Sequence, residues 1–192
     1  KILASVKKTY PLTTIKSFET VGATIGKETE LNALKAVGIA SAAILLYIAF
    51  VFRKVSKPVS SWKYGVCAII ALLHDVLLVL GVFSLLGFFF HIEVDSLFIT
   101  ALLTVMGFSV HDTIVVFDRI RENLSKHGDL PFEKIVNNSI LETINRSLNT
   151  SVTVILVLVM LLLFGGESIR WFVVALLIGV VSGTYSSIFN AS

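Results

Sequence analysis

Five stretches of the chain are apolar for long enough to cross a lipid bilayer. They run roughly over residues 34–52, 64–90, 97–117, 149–165 and 171–189. A hydrocarbon core about 30 Å thick takes roughly 20 apolar residues per spanning helix, and each run supplies about that many. Residues 3–31 hold no comparable run. The pattern predicts an all-α integral membrane protein. A transmembrane domain fills residues 34–192. Residues 1–33 form a lead-in to the membrane from outside it.

The polar connections set the orientation. The loop 53–63 carries Arg53, Lys54, Lys57 and Lys63, and the loop 118–148 carries Arg119, Arg121, Lys126, Lys134 and Arg146. The connection His91–Ser96 has two acids and no Lys or Arg, and the last turn has Arg170 alone. Lys and Arg gather in short cytoplasmic loops. Loops 53–63 and 118–148 are therefore expected in the cytoplasm. The N-terminal segment is expected outside, and Ser192 on the cytoplasmic side. The five lysines of residues 1–33 run against this count. They fit it if the segment belongs to a larger exported domain, because the rule holds for short loops. Trp62 and Tyr64 at one boundary and Trp171 at another suit the aromatic belts of a membrane interface.

One polar segment keeps a helical pattern. Phe132, Ile135, Val136, Ile140, Ile144 and Leu148 recur at helical spacing, and Pro131 after Asp129 suits a first helical position. An amphipathic helix is predicted there. It either lies on the membrane surface or extends the fourth span.

Composition agrees with a bilayer as solvent: 55% of residues are hydrophobic and 15% charged, against about 25% charged in a soluble domain. The net charge of +3 follows from the basic loops and gives no reason to expect nucleic acid as a partner. The single cysteine, Cys67, excludes an intrachain disulfide. The chain opens at Lys1 without an initiator Met or a signal peptide, so a piece of a longer protein is expected.

Ionisable residues inside the apolar runs are the candidates for chemistry. A charged Asp at the centre of a spanning helix costs about 2.5–3.5 kcal/mol, and such residues usually face a bundle interior and mark ion or proton pathways. His111 and Asp112 lie in the third run; Asp112 is roughly 8 Å from its cytoplasmic end. His74 and Asp75 lie in the second, with Asp75 about 18 Å along a helix from Lys63. Arg146 stands at the entry of the fourth. An Arg near two buried acids can hold them ionised and release them when one protonates. The plainer readings are a packing role for each Asp, and an Arg146 that snorkels to headgroups. Helical neighbours point about 100° apart, so a His-Asp pair does not chelate one ion, and no metal site is expected. His74 and His111 are candidates for support of a proton relay. Gly179 and Gly183 match a small-xxx-small helix contact. No nucleotide-binding loop, Gly-x-Ser-x-Gly or Cys-x-x-Cys is present.

The stretch "GFSVHDTIVVFDRIRENL" closely resembles the fourth-span motif of the SecF side of the SecD/SecF family of protein-export subunits, with Gly107, Ser109, Asp118 and Arg119 among its residues. "VGATIGKE", "HDVLLVLGVFSLLG", "LNTSVTVILVLVMLLLFGGESIRWF" and "GTYSSIF" resemble other parts of that family in the same order, so that the match covers nearly all of residues 20–192. His111 stands where the family commonly has Asn, and Ala23 where it commonly has Pro. The resemblance implies a bundle of the resistance-nodulation-division type with six spans, of which this chain would carry five. It implies the tail of a periplasmic domain ahead of them and a place in the bacterial inner membrane. The implied partners are SecD, the SecYEG channel and exported unfolded polypeptides. Protons serve as the coupling ion and no other cofactor is implied. By motif, the proton-relay Asp and Arg fall on Asp112 and Arg146, and Asp75 matches a further acidic position. The expected function is promotion of protein export by the proton-motive force, without hydrolytic activity. The alternatives are a proton-coupled exporter of small hydrophobic molecules or lipids, and a scaffold for SecD.

Overall fold

The computed structural model describes residues 23–53, 61–127 and 129–192. Most of the expected extracytoplasmic lead-in, with Lys54 and Lys57 of the first loop, lies outside the described residues. Five long helices account for almost everything described: α1 (Ala23–Val51), α2 (Ser61–Phe90), α3 (Ser96–Lys126), α4 (Phe132–Phe164) and α5 (Arg170–Phe189). A short 3-10 turn, Glu167–Ile169, leads into α5. All five are long and apolar enough to cross a membrane. The chain is an all-α, multi-pass membrane protein.

The chain divides into two units, Lys1–Asn32 and Ala33–Ser192. Of the first, only the opening of α1 is described. The second holds the bundle. Its most extensive contact joins α3 to α5, and α2 and α4 pack on that pair. Over the most apolar window of each span, 61% of residues are buried in α5 and 50% in α3, against 17% in α4 and 6% in α1. The central pair thus forms the core, while α1 and α4 present most of their surface outward. The outward residues include Leu46, Phe50, Leu156, Val157 and Leu163, as a lipid-facing wall requires.

Helix ends follow local chemistry. The Asp95 side chain caps α3 by accepting the Phe98 N–H at 3.1 Å. His91, at φ 54°, closes α2 in the left-handed conformation, its N–H donating to the Gly87 carbonyl. The amphipathic segment and the fourth span form one continuous helix, α4, so the segment extends the span. Pro131 sits one residue ahead of that helix, with its carbonyl accepting the Lys134 and Ile135 N–H groups. Where α2 begins, Phe52, Tyr64 and Phe117 make an aromatic cluster that ties the end of α1 to α2 and α3.

Candidate functional site

α5 is apolar almost all round, yet it carries Ser182, Thr184, Ser186 and Ser187 in buried positions. The same helix carries Gly179 and Gly183 on its α3 side. A Cβ on Gly183 would stand 3.2 Å from the Ser109 Cβ, and one on Gly179 only 2.1 Å from the Val105 Cγ2. Side chains this small let the α3 and α5 backbones approach closely. The close approach places the α5 hydroxyls within reach of carboxylates on α2 and α3.

Asp75 of α2 is fully buried. Its Oδ2 accepts the hydroxyls of Ser109 and Ser186, each at 2.6 Å. Its Oδ1 accepts the Ser182 hydroxyl at 2.7 Å and, with the proton on Nδ1, the His74 ring at 3.2 Å. Asp112 of α3, 4% exposed, has fewer partners. Ser147 of α4 donates to its Oδ1 and Ser187 of α5 to its Oδ2, both at 3.0 Å. Ser151 of α4 and Thr184 of α5 share a further hydrogen bond of 2.6 Å beside this pair. Each buried acid is thus a junction: Asp75 for α2, α3 and α5, and Asp112 for α3, α4 and α5.

The other sequence candidates lie elsewhere. His111 is exposed on α3, and no hydrogen bond of the described residues involves its side chain. Arg146 is exposed on α4, next to Ser147, and belongs to none of the described ion pairs. Helical geometry explains this, because residues one apart point about 100° apart and Ser147 takes the inward position. His74 is half-exposed beside Asp75. Sequence reading missed Ser147, Ser182, Ser186 and Ser187. The available signal was the i, i+4 spacing of Ser182 and Ser186 in an otherwise apolar span.

Beyond the apolar runs, a second polar network braces α3 against α4. Arg119 of the "DRIREN" stretch pairs with Glu142 of α4 and, at 2.5 Å, with Glu122. Asn123 donates to Ser139 and to Glu142, each at 3.0 Å. Asp118 pairs with Arg121. The Asn123 amide and the Arg119 guanidinium hold the Glu142 carboxyl below the usual carboxylate range, and Lys126 and Arg119 do the same for Glu122. Groups with depressed values contribute stability above their ordinary range and lose it as pH falls through the folded value. Acidification from neutral through the carboxylate range is therefore expected to loosen the start of α4. Amide hydrogen exchange over residues 119–145, corrected for the intrinsic rate, should quicken there. In Glu142→Gln that acid response should shrink.

The pattern of the family described as "Protein export membrane protein SecD/SecF, C-terminal" matches residues 1–192. A protein translocase subunit SecF from Thermobaculum terrenum is 61% identical over 176 residues, covering 91% of this chain and 54% of that one. The SecF subunit of Anaerolinea thermophila is 51% identical, over 93% of this chain and 58% of its own length. A protein translocase subunit SecDF from Thermus thermophilus is 44% identical over 93% of this chain and 23% of its own. Among solved structures, SecDF in its super-membrane-facing form superposes with a TM-score of 0.77 at 37% identity. That superposition covers 99% of this chain and 24% of SecDF. The chain spans about half the length of the SecF relatives it matches.

Proposed function

Because this chain belongs to the SecD/SecF family of protein-export membrane proteins, we propose that it is the membrane half of a Sec translocase subunit that turns proton movement into protein export. The observation that carries the reading is Asp112: a buried carboxylate that holds two different helices, α4 and α5, by one hydroxyl each. A proton on Asp112 removes its charge and so weakens both hydrogen bonds at once. α4 and α5 then gain freedom to shift against α3. Arg146 lies just outside this pocket, one residue from Ser147. A partial rotation of α4 would bring its guanidinium toward Asp112 in place of the Ser147 hydroxyl. Proton binding at one group thereby selects between two packings of the bundle, and the extracytoplasmic domain moves with them.

SecD is the proposed partner. His111 on α3 and Asn149 on α4 are exposed polar residues within the apolar spans of the bundle. Polar groups at membrane depth are costly against lipid and are usually covered by protein. Relatives in which both halves form one SecDF chain support this partner. The inner membrane as location rests on the family, and the placing of loop 118–148 in the cytoplasm on the Lys and Arg count.

The test uses inner-membrane vesicles that contain the full-length subunit with SecD and the SecYEG channel. Completion of translocation of an unfolded preprotein is followed with and without a proton gradient. Acceleration by the gradient is expected. A complex that supports export equally well without it is a scaffold. One that passes protons only when a small hydrophobic molecule is supplied is an exporter of such molecules.

A further inference from the structure

The two buried acids are unequal, and the difference assigns them separate roles. A carboxylate has about four acceptor positions, two on each oxygen. At Asp75 three are filled by hydroxyls, Ser109 and Ser186 on Oδ2 and Ser182 on Oδ1, and the fourth by His74 when its Nδ1 carries the proton. Its three hydroxyl bonds, at 2.6–2.7 Å, have the length expected of O–H donors to a charged carboxylate. At Asp112 two positions are filled, both at 3.0 Å, and two are open. A proton can join Asp112 without displacing a donor from it. At Asp75 it cannot.

The surroundings agree. Facing Asp75, α2 brings His74, and α3 and α5 bring hydroxyls. The next acid on α3, Asp112, is one helical turn beyond Ser109. On α5 the hydroxyl held by Asp75, Ser186, directly precedes the hydroxyl held by Asp112, Ser187. Whatever fixes Ser186 also fixes the height and rotation at which Ser187 meets Asp112.

We propose that Asp75 is a positioning residue: it keeps its charge and its three hydroxyl hydrogen bonds throughout the cycle, and it anchors α5 so that Ser187 is delivered to Asp112. The delivery part rests on the reading of Asp112 as the proton carrier. The fixed charge of Asp75 does not.

Infrared difference spectra of the full-length complex with SecD in bilayers, recorded on acidification, test this through the carbonyl band of newly protonated carboxyl groups. Three variants are compared with wild type: Asp75→Asn, Asp112→Asn and the pair Ser182→Ala with Ser186→Ala. The band component that disappears in Asp112→Asn should remain at full amplitude in Asp75→Asn. The double serine variant, which strips two donors from Asp75, should add a second component of similar size. If Asp75→Asn fails to assemble, the double variant carries the test by itself. Loss of a component in Asp75→Asn, or a double variant with the wild-type spectrum, overturns the proposal. A wild-type spectrum unchanged by either Asp substitution supports the fixed charge of Asp75 and removes Asp112 as carrier.

Discussion

The Asp112→Asn variant is expected to assemble with its partner and to lose the gradient-dependent part of export. Asn has nearly the volume of Asp. Its carbonyl oxygen can still accept one serine hydroxyl and its amide can donate to the other, so the junction of α3, α4 and α5 stays closed. What it cannot do is take up and release a proton. One elementary charge crossing 100 mV is worth about 2.3 kcal/mol, which biases a two-state equilibrium roughly 50-fold. Stimulation by the gradient should fall to the level seen without it, while gradient-independent export persists. Recovery of SecD with the variant, and an unfolding temperature within a few degrees of wild type, establish assembly. An assembled variant with the full wild-type response would make Asp112 a packing residue.

Gly179→Ala should damage the bundle itself. The new Cβ would lie 2.1 Å and 2.6 Å from the two Val105 methyls and 2.9 Å from the Val105 Cβ. Val105 is fully buried, and a helical Val has essentially one χ1 rotamer, so the side chain cannot swing away. α3 and α5 must separate instead. Overpacking of this kind costs typically about 1–3 kcal/mol. A 2.1 Å approach belongs at the upper end of that range, and replacing Gly in a helix returns up to about 1 kcal/mol, so a net loss of about 2 kcal/mol is expected. The separation would also draw Ser182 and Ser186 away from Asp75. Thermal unfolding of the detergent-solubilised complex checks the loss, and Val105→Ala should restore most of it in the double variant. Gly183→Ala, whose nearest approach is 3.2 Å, should be much milder.

The fold was legible because a bilayer imposes a demand that composition alone can display. All five apolar runs became helices, with α2 and α5 ending within a few residues of the expected bounds. α1, α3 and α4 outrun theirs, for a physical reason: lipid sets the extent of an apolar run, whereas a helix stops only at a cap or a breaker. No such signal separates residues 117 and 118, or 148 and 149. Asp75 and Asp112 stood out because charge is rare in such runs. Apart from Ser109, their partners did not, since serine is common in spanning helices and the i, i+4 spacing of Ser182 and Ser186 is a weak signal in a helix that is apolar almost all round. The inward face of α5 was set by Gly179 and Gly183, a motif too common to identify a junction without the fold. Arg146 shows the same gap from the other side. Its charge drew notice in sequence, but the helical angle gave the inward position to Ser147.

The most direct test of the central claim observes Asp112 itself. Solid-state NMR of the full-length complex in bilayers, with aspartate labelled at the carboxyl carbon, would follow Asp112 as pH is lowered across the range in which the gradient stimulates export. The expected result is a titrating carboxyl whose change is matched by changes at Ser147 and Ser187, as their hydrogen bonds loosen together. A carboxyl signal that stays constant over that whole range, with export still stimulated, would contradict the account.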